Sequence, residues 1–179
     1  MKKTLLITAF MIGSILQSKA QSLVLDRCED LKGWSGRIPV SLSSDAKEGK
    51  YSLQSEGISD FRFRKVFDNP INTGLKDSSG YIGFWLFVSD IQAIEKSPGV
   101  LMISSSGKSD LNAYHLRLKD LSLQNGWNKV VLELNKGLSK GGDFDESNFN
   151  YFNLFQKTES PVTLKIDNVC FAQNEKDLK

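Results

Sequence analysis

From residue 22 onward the chain never keeps the 3.6-residue spacing of a long helix. Its apolar residues alternate with polar ones, or gather in blocks of strand length that end at Gly, Asn, Asp, Ser or Pro. Strands are predicted over roughly 22–28, 38–42, 50–55, 59–67, 80–89, 99–105, 112–118, 127–134, 151–156 and 161–171. Turn signals separate them: Glu48-Gly49, Asn69-Pro70, Asp77–Gly80, Ser97-Pro98-Gly99, Asn125-Gly126 and Lys140–Asp143. Asp90–Lys96 reads as a short helix and Asp145–Asn148 as a capped turn. About ten strands of this length bury their apolar faces best as two packed antiparallel sheets, so the expected fold is all-β, a β-sandwich.

Individual runs predict where side chains point. Phe61-Arg62-Phe63-Arg64 alternates cleanly, with one face buried and one wet. Tyr81–Val88 is apolar on both faces and suits a central strand with Trp85 buried. Asn112–Leu118 is amphipathic, with a polar face of Asn112, Tyr114 or His115, and Arg117. Its alternation is imperfect, and a bulge would account for that. Trp34 and Trp127 follow glycines at strand starts and are expected to anchor sheet edges.

The first run, Ser22–Cys28, and the last, Val162–Phe171, carry the only two cysteines. If these runs pair antiparallel, the chain closes on itself and Cys28 can reach Cys170. A disulfide closing that loop would stabilise by up to ~5 kcal/mol in the chain-entropy model. With one histidine, His115, and no CxxC spacing, the pair does not read as a metal site.

The first twenty residues have a basic start at Lys2 and Lys3, an apolar stretch Leu5–Leu16, and small residues Ser18 and Ala20. That is the pattern of a signal peptide over 1–20, cleaved before Gln21. The apolar stretch is short for a bilayer span, and Leu25-Asp26-Arg27 before Cys28 lacks the small residues of a lipoprotein box. The expected protein is exported, periplasmic or extracellular, with no membrane span after cleavage. Residues 21–173 would form one domain and 174–179 a frayed charged tail. The whole chain has 23 Lys and Arg against 21 Asp and Glu, but three of those lysines lie in 1–20, which leaves −1. No basic patch arguing for nucleic acid is expected.

Catalytic patterns are missing. A glycosidase needs two carboxylates across a cleft, and Glu133, Glu95 and Glu146 share no strand face convincingly. A Ser-His-Asp triad would have to use His115, without a Gly-x-Ser-x-Gly elbow to accompany it. Asp26, Glu29, Asp30 and Asp167 come from the first and last strands and could meet there, with carbonyls of the turn before Tyr51, at a structural Ca²⁺. A ligand platform of aromatic and planar cationic groups is the other candidate: Tyr114, His115, Arg117, Arg62, Arg64 and Tyr151.

Taken together, Leu25–Trp34, Glu48–Leu53, Gly83–Asp90, Asn125–Val130 and Lys165–Val169 resemble, in order, the elements of carbohydrate-binding modules with a galactose-binding-like β-sandwich, which implies a jelly-roll type of sandwich. The resemblance spans nearly all of 23–171. It implies a structural Ca²⁺ at Glu29 and Asp167 with the Lys50 backbone, Asp26 substituting if the register differs. It also implies a ligand site on the concave sheet face, where Tyr114, His115 and Arg117 occupy a matching strand. The expected function is therefore non-catalytic binding of a polysaccharide or glycan on one sheet face. Binding another surface protein as a structural or adhesion subunit, and a small glycoside hydrolase, are the alternatives.

Overall fold

Two strands are far longer than the pattern above implies. In a computed structural model of the protein, which describes residues 22–96 and 99–178, the segments expected at 50–55 and 59–67 are one continuous strand. Those expected at 151–156 and 161–171 are another. The proposed leader and cleavage site, residues 1–21, lie outside the described residues. In chain order the strands are β1 (Leu23–Asp26), β2 (Trp34–Ser35), β3 (Ser41–Ser43), β4 (Ser52–Ile71), β5 (Tyr81–Val88), β6 (Val100–Ser104), β7 (Ala113–Arg117), β8 (Gly126–Glu133), β9 (Leu138–Lys140) and β10 (Phe149–Ala172). One helical turn, α1 (Gln92–Glu95), follows β5. β2 and β9 are too short for alternation to reveal them.

β4 and β10 run antiparallel and pass through both layers of a β-sandwich. The front layer has the order β2–β4–β10–β6–β7–β9, using residues 59–71 of β4 and 149–158 of β10. The back layer uses the other halves, with β3 on β4, β10 on β5, and β5 on β8. The corner between layers lies where Thr158 pairs with Ser59 and Val162 with Gly57, so that residues 159–161 oppose Ile58 alone. Gly57 at φ 145° and Ser59 at φ 115° make that bend. The conformation suits glycine, which has no Cβ to clash, and costs a serine more.

Between the layers lies an apolar core. Phe61, Phe63, Phe152 and Leu154 point in from the front, and Phe84, Leu86, Leu164 and Ile166 from the back. Edge-to-face ring contacts tie the layers together: Phe84 meets Phe152 at 6.1 Å and Phe149 meets Phe171 at 5.2 Å. Trp34 is buried and packs edge-on against Phe152 at 5.6 Å, anchoring β2 as expected of it.

The chain ends pair as predicted: β1 lies antiparallel on β10, with Leu23 opposite Phe171 and Val24 opposite Cys170. The disulfide does not form, and the reason is one residue. Ile166 faces the core, and strict alternation would send Cys170 the same way. Asn168, at φ 47°, is a bulge that shifts the register between Asp167 and Cys170. Val169 and Phe171 then point inward, while Cys170 joins Ala172 and Leu178 in a separate cluster on the outside of the sheet. Cys28 stays in the main core, so both thiols are free and buried on opposite sides of one sheet.

The end of the chain also departs from expectation. Instead of fraying, residues 175–177 form a 3₁₀ turn and Leu178 is buried against Gly83 and Cys170. Its carbonyl accepts a 2.8 Å hydrogen bond from Lys129 Nζ. Among the described residues no helix is long and apolar enough to cross a membrane.

Candidate binding face

The outward side of the front layer follows from alternation and register. Core residues Phe61, Phe63, Phe152 and Leu154 leave Arg62, Arg64, Tyr151, Asn153 and Phe155 pointing out. Three cross-strand rows result. Arg62, Phe155, Val100 and Arg117 form the first. Arg64, Asn153, Met102 and His115 form the second, and Val66, Tyr151, Ser104 and Ala113 the third. β9 adds Leu138 beside His115 and Lys140 beside Ala113. Cations on β4 and β7 thus flank a floor supplied by β10 and β6.

Five of the six residues expected to form a platform share this face: Arg62, Arg64, Tyr151, His115 and Arg117. Tyr114 does not. β7 pairs with β6 without a register shift, so the suspected bulge is absent and only one of two adjacent residues can face out. His115 does. Tyr114 turns inward, packs on Phe144 at 5.4 Å, and its hydroxyl meets Ser78 Oγ at 2.7 Å. Phe155, Asn153 and Met102 went unnamed in the sequence reading. The alternation Tyr151, Asn153, Phe155 was the signal that could have found two of them.

Local contacts set the groups. The Arg62 guanidinium lies 5.5 Å from the centre of the Phe155 ring, which supports its plane over the floor. His115 Nε2 is 2.6 Å from the Ser109 carbonyl, to which it donates. The loop carrying Ser109 also donates from Gly107 N–H to Asn150 Oδ1 at 2.7 Å. Asn153 is buried in mid-row; its Nδ2 leans on Met102 Sδ at 3.6 Å, and its Oδ1 has no partner.

The face is basic, which corrects the expectation that no basic patch remains. Arg62, Arg64, Arg117, Lys140 and Lys157 lie on it, against Asp60, which an exposed Arg37 holds at 2.8 Å. A near-zero net charge hid this segregation, because the sum carries no information about which strand face a charge is on.

Comparison with known proteins locates the fold. No family model matches the sequence, and no curated protein does. Solved structures do. The family 11 carbohydrate-binding module of cellulase Lic26A-Cel5E from Clostridium thermocellum superposes with a TM-score of 0.61 at 11% identity, covering 86% of this chain and 95% of that one. The family 11 module from the same organism in complex with a β-1,3-1,4-mixed-linked tetrasaccharide gives 0.60 at 11%, covering 86% and 96%. The family 30 module of cellulase Cel9D-Cel44B, also from Clostridium thermocellum, gives 0.52 at 10%, covering 87% and 92%.

The chain has the fold of these carbohydrate-binding modules. At such identities the likeness concerns the backbone alone.

The back layer turns out a different surface. Trp85, expected in the core, faces outward and is half-buried, as are Phe87 and Trp127. The segment 44–50 folds over them. Lys47 Nζ sits 4.9 Å from the Trp85 ring centre, and Lys165 Nζ 4.7 Å from that of Phe87. Asp45 accepts from Trp127 Nε1 at 3.1 Å and from Lys165 Nζ at 2.7 Å, and these bonds hold its carboxyl below the usual range. The aromatic groups here are partly covered by the chain itself.

That same segment gathers the expected cation ligands. Asp167 Oδ2 accepts the Lys47 and Glu48 amides at 2.7 and 2.9 Å, and Glu29 Oε1 accepts the Lys50 amide at 2.7 Å. Asp167 is fully buried, its Oδ1 has no partner, and burial raises its pKa. Asp26 is committed elsewhere: it accepts the Cys28 amide at 2.7 Å and pairs with Lys65. Asp30 Oδ1 accepts the Lys32 amide at 2.8 Å. Among the described residues no group of three or more His, Cys, Asp or Glu could hold a metal. A hard cation here would therefore need Asp167 Oδ1, the Glu29 carboxylate and backbone carbonyls, and the orphaned buried oxygen fits that use.

Past β7, His115, Arg117 and Leu138 also line a cleft of about 580 Å³ that reaches Tyr81 and Glu133. Its acids Asp120, Glu133 and Glu175 are matched by Arg117, Lys119 and Lys136, so the cleft lacks the charge bias of the open face.

Proposed function

We propose that this protein is a non-catalytic glycan-binding module that holds a polysaccharide on the outward face of its front sheet. The observation that carries this is the row Arg62, Phe155, Val100, Arg117: planar cationic groups and an aromatic ring on a module fold, open to a ligand on one side. Sugar rings present apolar faces to aromatics and hydroxyls to polar groups, and this row with His115 beside it offers both. One solved module of this fold carries a tetrasaccharide, which supports the same use here.

Glu133, the strand acid that lines the cleft, is held below its usual pKa range by Lys136 and Asn135, so it lacks the raised pKa of a glycosidase general acid. The proposal includes export to the periplasm or beyond, read from residues 1–20, and a structural Ca²⁺ held by Glu29 and Asp167. The ion would tie the first and last segments of the chain to the 44–50 turn.

A glycan array probed with the purified protein tests this. Binding to one or more glycans, weakened at least tenfold in Arg117→Ala and Phe155→Ala variants that melt near the parent, is expected. An array without a binder, or variants that bind like the parent, would remove the assignment.

A further inference from the structure

The geometry points to an acidic ligand: we infer that the front face takes a uronic-acid polysaccharide, laid along the strands between two cationic rails. The inference rests on the glycan-binding reading above and names the substrate class for that site.

The rails follow from the register. Arg62 and Arg64 stand two residues apart on β4, about 7 Å along the strand, and both are exposed. On β7 Arg117 supplies the facing cation, with His115 two residues before it as a polar neighbour. Three strand spacings, about 14 Å at the backbone, separate Arg62 from Arg117 across Phe155 and Val100. Arg64 and His115 are equally spaced across Asn153 and Met102. The floor between the rails carries no acid. Lys140 and Lys157 extend the positive potential past the rows.

Charge complementarity selects the ligand. Among the described residues no carboxylate lies within ion-pair distance of Arg62, Arg64 or Arg117. Other cations of this chain do have such partners: Arg37 with Asp60, Lys65 with Asp26, Lys165 with Asp45. A neutral polysaccharide would leave the face's positive charge unanswered. A uronate answers it, because a planar carboxylate accepts two parallel hydrogen bonds from a guanidinium fork. The Phe155 ring fixes the Arg62 plane beforehand and reduces the ordering cost on binding. Pyranose rings between the carboxylates would lie on Phe155, Val100 and Met102. Nucleic acid would also meet cations here. The face offers bases a single accessible aromatic ring, Phe155, because Tyr151 is buried.

The test is affinity electrophoresis and calorimetry with polygalacturonate, alginate and hyaluronan, each beside its carboxyl-reduced neutral counterpart. Dextran sulfate, a single-stranded oligonucleotide and a panel of neutral β-glucans complete the set. At least one uronate polymer should bind tenfold or more tightly than its reduced form. That binding should weaken at least tenfold from 50 to 500 mM NaCl, and disappear in Arg62→Ala/Arg64→Ala/Arg117→Ala protein that melts like the parent. Neutral glycans binding as well as every uronate would overturn the acidic ligand and leave glycan binding standing. Dextran sulfate or the oligonucleotide binding as tightly as the best uronate would also overturn it, by showing a response to charge density alone. Failure of every glycan, neutral and acidic, would remove both readings.

Discussion

Arg62 and Phe155 stand directly opposite each other on β4 and β10, and the guanidinium rests 5.5 Å from the ring centre on the outer side of the sheet. The pair exists because a long strand from the first half of the chain is zipped to one from the end. It makes a cation and an aromatic ring one rigid unit at the edge of an apolar floor.

Replacing Phe155 with Ala should weaken glycan binding by more than the loss of ring contact alone, because Arg62 loses its support. Arg62→Ala should cost about tenfold in affinity, the order of one charge-assisted hydrogen bond. The double variant should lose less than the sum of the single losses. Calorimetric titration of all four proteins checks the coupling. Strictly additive losses would show that the two groups act separately.

Phe152 packs between Trp34 and Phe84, one from each layer. Phe152→Ala should destabilise by about 3–5 kcal/mol through lost burial and the cavity left behind. Urea unfolding measures it, with Val66→Ala at an exposed front-face position as the mild comparison.

The free thiols make a chemical prediction. Burial pushes Cys170 up to about 11 and Cys28 well above its ordinary value. The native protein should thus leave both unmodified by a disulfide reagent at pH 8, and both should react in urea. A mass two units below the reduced chain would show a disulfide and contradict the bulge at Asn168.

Asp45 supplies the pH dependence. Its carboxyl is held below the usual value of 3.8, first by Lys165 and then by Trp127. A depressed folded-state pKa adds stability above the unfolded value, and that stability is lost as pH falls through the folded one. Asp45 is half exposed, so the contribution is under about 1 kcal/mol. Asp45→Asn should be slightly less stable than the parent at pH 7 and equal to it near pH 2. Denaturant curves at the two values decide.

Millimolar Ca²⁺ should raise the melting temperature by several degrees, and a chelator should reverse the rise. Glu29→Gln and Asp167→Asn should abolish the response, whereas Asp30→Asn should keep it. An unchanged melt in Ca²⁺ would leave Asp167 Oδ1 as an uncompensated buried oxygen.

Most of this architecture was legible in the order of residues. Alternation in Phe61–Arg64 and turn residues at each boundary announced strands, and their number announced a sandwich. The apolar ends announced that β1 and β10 meet. Alternation also marked Arg62, Arg64 and Arg117 as facing outward, because a side chain's direction in a regular strand depends on its neighbours in sequence alone. What stayed hidden depended on register. Whether Tyr114 or His115 faces out is decided by which β6 residue each sits beside. Whether Cys170 can reach Cys28 is decided by one αL residue, Asn168.

The residues themselves therefore determined that this chain makes short-range β structure, where it turns, and which runs are apolar enough to be buried. Tertiary structure alone decided that two strands cross both layers, that cations scattered over four strands collect on one surface, and that a nearly neutral chain presents a basic face. The physical reason is that burial is a local tendency of side chains. The gathering of charge depends on which strands lie side by side, and pairing between residues up to a hundred positions apart sets that.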